Sequence, residues 1–174
     1  MNTTSMEVSV REVLSIPATP GKPIACDMTD ASDTPQERLA EYGRLFAHAL
    51  IGRERNADGV VFRFTAKPGV LEWAADLVRR EAACCPFFSY YLTAEGNDLV
   101  WRTTSQAGDA TQTMLDEFHA LPEHPGDGIE AYFRRLAERG VVIGSPAARK
   151  FTMAETQPRT RPGLLGKLKS GCGC

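Results

Sequence analysis

The chain has 174 residues, 43% hydrophobic and 24% charged, which gives length and apolar content for one domain with a core. Its 20 Lys+Arg against 22 Asp+Glu leave a formal charge of −2, a balance that argues against nucleic acid as a partner. No apolar run approaches the roughly 20 residues of a bilayer crossing, and the N-terminus has neither the basic nor the apolar region of a secretory signal. A cytoplasmic protein without membrane contact is the expectation.

From Met6 to Ile16 apolar and polar residues alternate loosely, predicting a short strand or ordered arm, and Pro17, Pro20, Gly21 and Pro23 then prevent regular structure. Cys26 follows in a loop. Thr34-Pro35-Gln36-Glu37 reads as a helix start with a capping box, and Leu39, Tyr42, Phe46, Ala49 and Leu50 form the packing stripe of a helix running to about Ile51, with Gly52 as its stop. Val60, Phe62 and Phe64 alternate with Val61, Arg63 and Thr65, the pattern of a half-buried strand. A second helix carries Val70, Leu71, Ala74, Leu77 and Val78 at helical period. Extended by whole turns, it brings Cys84 and Cys85 to the packing side of its last turn, where Pro86 ends it. Phe87 to Thr93 and Leu99 to Thr104 predict a β-hairpin around Glu95-Gly96-Asn97-Asp98. Met114, Leu115, Phe118 and Leu121 mark a third helix ending before Pro122. Asp127 is the expected cap of a fourth, with Ile129, Tyr132, Phe133 and Leu136 buried and Gly140 as its stop.

This order predicts an α+β fold with helices on one face of a small, mainly antiparallel sheet. No internal repeat is apparent. Three parts are expected: an N-terminal strand or arm over 1–23, a thiol-bearing domain over 24–146, and a flexible basic tail over 147–174. Residues 149–174 carry a net charge of +5, which leaves −7 for the rest.

Five cysteines are an odd number, and a reducing cytoplasm does not favour a disulfide framework. Cys26 stands alone, Cys84 and Cys85 are adjacent, and Cys172 and Cys174 close the chain as Gly-Cys-Gly-Cys. Thiolates are soft ligands that suit Hg(II), As(III), Cu(I), Cd(II) and Zn(II). Neighbours on a helix point about 100° apart, so Cys84 and Cys85 need a third ligand from elsewhere. Cys26 is the candidate, because antiparallel packing of the first two helices sets the start of one beside the end of the other. Three sulfurs suit trigonal As(III) or Hg(II), whereas Zn(II) wants a fourth ligand, from His48 or a tail cysteine. Core packing is the competing reading, since cysteine is among the most buried residue types. The tail thiols have no core to fill, and their tether raises their effective concentration at an internal site, as in a loading arm.

The segment Glu81-Ala82-Ala83-Cys84-Cys85-Pro86-Phe87-Phe88 follows an upstream cysteine before a helix and the Arg-Glu-Arg of residues 53–55. Over about residues 24–105 the chain thus resembles small uncharacterised bacterial proteins and regulator-appended domains with an E-x-C-C-P-F-type motif, sometimes associated with heavy-metal resistance. The Gly-Cys-Gly-Cys end is similar in kind to the C-terminal cysteine pair of mercuric reductases, which hands Hg(II) to a buried site. No flavin-binding G-x-G-x-x-G is present, so only the tail logic carries over.

Among other groups, Asp27 beside Cys26 invites comparison with organomercurial lyases, in which two cysteines and an aspartate cooperate; its competing reading is a loop or capping residue. His119 and His124 form at most a weak metal pair across Pro122. Arg53, Arg55, Arg79 and Arg80 read as a positive rim or as solvated helix surface. The leading expectation is a protein that binds Hg(II) or As(III), with no cofactor required, through Cys26, Cys84 and Cys85, with Cys172 and Cys174 as the arm and a metal-resistance protein as receiver. The alternatives are a thiol-dependent lyase using Asp27 and a redox-switched interaction module.

Overall fold

The computed structural model describes residues 9–22, 24–106, 108–141 and 150–152. Strand β1 (Val10–Ile16) comes first and is followed by the short β2 (Ala25–Asp27). Helix α1 (Pro35–Ala49) opens with the expected capping box: the Thr34 side chain accepts from the Glu37 N–H, and the Glu37 carboxylate accepts from the Thr34 N–H. The helix ends at Ala49, earlier than its sequence stripe implies. Strand β3 (Leu50–Asn56) starts at once, and strand β4 (Gly59–Thr65) returns beside it.

Strand β3 has no apolar alternation to announce it. It is a sheet edge, and its Arg53 and Arg55 stand on the face toward the helices, where they bond helical partners instead of packing in oil. Gly52, the expected helix stop, lies inside this strand.

Helix α2 (Val70–Cys84) and the hairpin of β5 (Ser89–Glu95) and β6 (Asp98–Thr104) follow as the sequence predicts. Helix α3 (Gly108–Ala120) runs into a 3₁₀ turn (Leu121–Glu123) that includes Pro122, and α4 (Ile129–Glu138) closes the domain. Asp127 does not cap α4. Gly128 is its N-cap, the Ile129 N–H donates to Gln36 Oε1 of α1 at 2.7 Å, and the Asp127 carboxylate pairs with Arg135.

The main sheet is antiparallel throughout, in the order β1-β5-β6-β4-β3, so the strand expected in the N-terminal arm is an edge of the body. Register sets Phe62 opposite Trp101 and Trp101 opposite Leu92, and one face of these central strands packs against the helices. Phe62, Phe64, Leu92, Leu99 and Trp101 are buried completely there, with Tyr42, Phe46 and Phe118 closing an aromatic cluster over them. On the other face Val61 and Val100 are buried as well, whereas Arg63 is exposed and Thr65 partly so, leaving β4 half-buried toward its C-terminal end.

The structure also contains a repeat that the sequence hides. A 15-residue helix and two 7-residue strands, α1-β3-β4, are followed by the same lengths in α2-β5-β6. The second strands of the two units pair with each other at the centre, where Phe62 meets its counterpart Trp101. Few identities remain: Val61, Arg63 and Thr65 match Val100, Arg102 and Thr104 in the central strands, and the two helices share four aligned residues, Glu37/Glu72, Ala40/Ala75, Arg44/Arg79 and Ala47/Ala82. A second, two-stranded sheet joins β2 to β7 (Lys150–Thr152), the described part of the expected tail.

Candidate functional site

Helices α1 and α2 pack antiparallel, so Arg38 near the start of α1 reaches Glu81 and Cys84 near the end of α2. Cys26 on β2 joins them. It forms a disulfide with Cys85 across 59 residues, and Cys84 is a free, buried thiol.

The end of α2 explains how two adjacent cysteines take different roles. Pro86 pushes the residue before it out of helical geometry, and Cys85, the C-cap, stands at φ −124° and ψ 65°. Its N–H still donates to the Glu81 carbonyl at 2.7 Å, while its own carbonyl accepts from the Tyr90 hydroxyl at 3.3 Å. Leaving the helix there turns Cys85 toward β2 and leaves Cys84 on the packing face. The two sulfurs therefore converge to 3.5 Å, where a continuous helix would splay them.

Charged groups surround this point. The Arg38 guanidinium forks onto Asp33 with two bonds of 2.6 Å and reaches Glu81 Oε1 at 2.8 Å, with Cys84 Sγ at 4.0 Å. Arg80 extends the network to Asp33, Glu41 and Asp76. Burial pushes the Cys84 thiol well above its ordinary range and the Glu81 carboxylate adds to the shift, against a smaller opposing pull from Arg38. Cys84 is thus a neutral thiol at physiological pH. Burial alone would lower the Arg38 guanidinium, but hydrogen bonds and charge from Asp33 and Glu81 outweigh it and keep the cation. The Arg38 hydrogen bond holds Asp33 below the usual carboxylate range, opposed by partial burial.

Cys26, Cys84 and Cys85 border a cavity of about 130 Å³, partly open to the surface. Its walls are mostly apolar, with Met28, Leu39, Phe88, Met114 and Phe133 among them, and the charged Arg38 and Glu81 also line it. Among the described residues, Glu81, Cys84 and Cys85 form one group with ligand chemistry for a metal ion, their ligand atoms all within 4.8 Å of one another. Cys85 is available to an ion only when its bond to Cys26 is reduced, and reduction frees Cys26 at the same place.

Other sequence candidates lie elsewhere. Asp27 is next to Cys26, but it does not line the cavity, and its Oδ1 accepts from the Thr29 N–H at 3.0 Å and hydroxyl at 2.6 Å. The carboxylate beside the free thiol is Glu81. His48 is exposed in the last turn of α1 against Trp73, at the far end of the helix from Arg38, so it supplies no fourth ligand. His124 pairs with Asp127, and burial, followed by the Arg53 charge, lowers the His119 pKa. The arginine rim divides: Arg53 and Arg55 tie β3 to α3 and the turn after it, Arg80 belongs to the Arg38 network, and Arg79 is exposed. Cys172 and Cys174 lie outside the described residues.

Sequence reasoning missed Arg38 and Asp33. Their trace is present, because Arg38 falls one turn before Tyr42 on the buried stripe of α1, a position where a charge requires a partner. No protein-family model matches the chain, and neither does any curated protein or solved structure.

Proposed function

We propose that the protein binds a soft metal or metalloid ion, Hg(II) or As(III), through Cys26, Cys84 and Cys85, for resistance, trafficking or sensing, with Cys172 and Cys174 as a loading arm. The observation that carries this reading is the convergence of three sulfurs at one end of a cavity. Cys84 Sγ is 3.5 Å from Cys85 Sγ, which is bonded to Cys26. Two thiolates about 2.3 Å from a tetrahedral ion stand roughly 3.8 Å apart, so chelation needs little movement.

Reduction comes first. A dithiol breaks the Cys26–Cys85 bond, supplies two electrons and two protons, and leaves as its own disulfide. With arsenous acid, three thiols then give three protons to three hydroxide ligands, three As–S bonds form and three waters depart. The raised pKa of Cys84 is compatible with this exchange, because a coordinating ion displaces the thiol proton. The As(III) product is neutral; with Hg(II), three thiolates would leave one negative charge, which Arg38 beside Cys84 would offset.

Anaerobic titration with Hg(II), As(III) and Zn(II), followed by thiolate-to-metal absorption and free-thiol count, tests the proposal. Reduced protein is expected to take up one As(III) in the body with loss of three thiols. Cys84→Ser or Cys26→Ser is expected to weaken binding by more than about 100-fold, the upper end for losing a mere outer-shell partner. Affinity no better than that of a small free thiol would overturn the reading. The Cys26–Cys85 bond favours a second reading, a redox-switched interaction module. That module would change mobility on a non-reducing gel with oxidant, and the change would persist with metal removed.

A further inference from the structure

Strand β7 anchors the segment that bears Cys172 and Cys174 beside the cysteine site. It pairs with β2 in antiparallel register, and Phe151 stands opposite Cys26. Cys172 and Cys174 follow Phe151 by about 20 residues, a tether that spans at most roughly 70 Å and whose reach easily includes Cys26. Residues 149–174 carry a net charge of +5 against −7 for the rest, so attraction draws this segment toward the body. A thiol tethered beside its target acts on it at an effective concentration on the order of 1 mM.

The Cys26–Cys85 bond is screened from solvent unevenly. Cys85 is 5% exposed, whereas Cys26 is half-buried, so an incoming thiol meets Cys26 first. One thiol alone opens such a bond incompletely, because the mixed disulfide it forms reverts unless a second sulfur displaces it. Two cysteines spaced by a single glycine supply both sulfurs.

We propose that Cys172 and Cys174 form a thiol–disulfide relay that opens the Cys26–Cys85 bond within the same chain. The Cys172 thiolate attacks Cys26 Sγ, a Cys172–Cys26 bond forms, and Cys85 leaves and takes up the proton that Cys172 gave. Cys174 then attacks Cys172 Sγ and expels Cys26, which receives the Cys174 proton, and the tail ends as the Cys172–Cys174 disulfide. Two electrons have moved from tail to body. An external dithiol restores the tail thiols and is itself oxidised to a disulfide. The relay rests on the redox reading of the Cys26–Cys85 bond and is independent of ion binding.

Oxidised full-length protein with chelator present is treated with dithiothreitol, and the surviving Cys26–Cys85 bond is followed by acid quench, alkylation and peptide mass spectrometry. With dithiothreitol at about 0.1 mM, the double variant Cys172→Ser/Cys174→Ser is expected to lose the bond about tenfold more slowly than wild type, the ratio of tethered to free thiol. At about 10 mM reductant the two rates should converge, which separates a lost tether from a damaged body. The wild-type rate should not change on diluting the protein about tenfold, since the exchange lies within one chain. Cys174→Ser keeps the attacking thiol without its successor and is expected to accumulate a peptide that joins Cys172 to Cys26. Equal rates at the lower reductant concentration, a gap that persists at the higher one, a rate that falls with dilution, or absence of the joined peptide would each overturn the relay. The redox module would survive any of these results, because its own test is the oxidant-dependent mobility.

Discussion

Arg38 shows how a single buried charge organises the site. An unpaired cation at a position only 5% exposed would carry a desolvation cost of several kcal/mol, and the fork onto Asp33 together with the bond to Glu81 offsets it. Asp33 is in turn shared with Arg80, which fixes the loop after β2 to both helices. The linkage has a definite sign. The folded protein holds Asp33 below its unfolded pKa, so its stabilising contribution is fully present above the ordinary carboxylate range and is lost as pH falls through the folded value. Asp33→Asn is therefore expected to be less stable than wild type at pH 7, with the gap narrowing below about pH 4 as the native carboxyl protonates. Urea unfolding at several pH values checks this, and a gap that stays constant from pH 7 to pH 3 would contradict it. Cys84 and Cys85 make a related point, because a proline after the pair gives one a bonding partner on β2 and leaves the other a neutral thiol.

At the scale of elements, legibility followed the strength of the local pattern. Helices α1 and α2 were readable because a capping box or a stopping proline bounded an apolar stripe, and the β5–β6 hairpin because Gly96-Asn97 forms its turn. Strand β3 was not, since an edge strand whose arginines pair with α3 leaves no period of two. Its glycine then looked like a helix stop. The two glycines of this hairpin should consequently behave differently. A Cβ on Gly59 would collide with the Thr103 carbonyl of the neighbouring strand, whereas a Cβ on Gly52 meets nothing within 4 Å. Gly59→Ala is expected to cost about 1–3 kcal/mol, and Gly52→Ala to stay within about 0.5 kcal/mol of wild type. Thermal unfolding of the two variants side by side measures the difference, and equal effects would contradict the β4–β6 register.

At the centre of the molecule a pair of helix–hairpin units share one sheet, and this architecture makes the site. Antiparallel α1 and α2 bring the entry to one unit beside the exit from the helix of the next, so Cys26, Arg38, Glu81, Cys84 and Cys85 meet although up to 59 residues separate the bonded pair. The meeting of Cys26 with the cysteine pair was legible as a consequence of helix packing. The disulfide, the free thiol and the cavity were not, because they depend on how the chain leaves α2 and on side chains from eight elements, the 3₁₀ turn included. The repeat itself was hidden because pairing and burial constrain few identities, leaving a valine, an aromatic, an arginine and a threonine in common between its central strands.

The central claim is that three body thiols of the reduced protein share one ion. X-ray absorption at the arsenic edge, on reduced protein truncated after Ser170 and loaded with one equivalent of As(III), counts the sulfurs directly. Three sulfurs around arsenic, falling to two in Cys26→Ser, is the predicted result. A shell of oxygen, or of fewer than three sulfurs in the unsubstituted body, would contradict it.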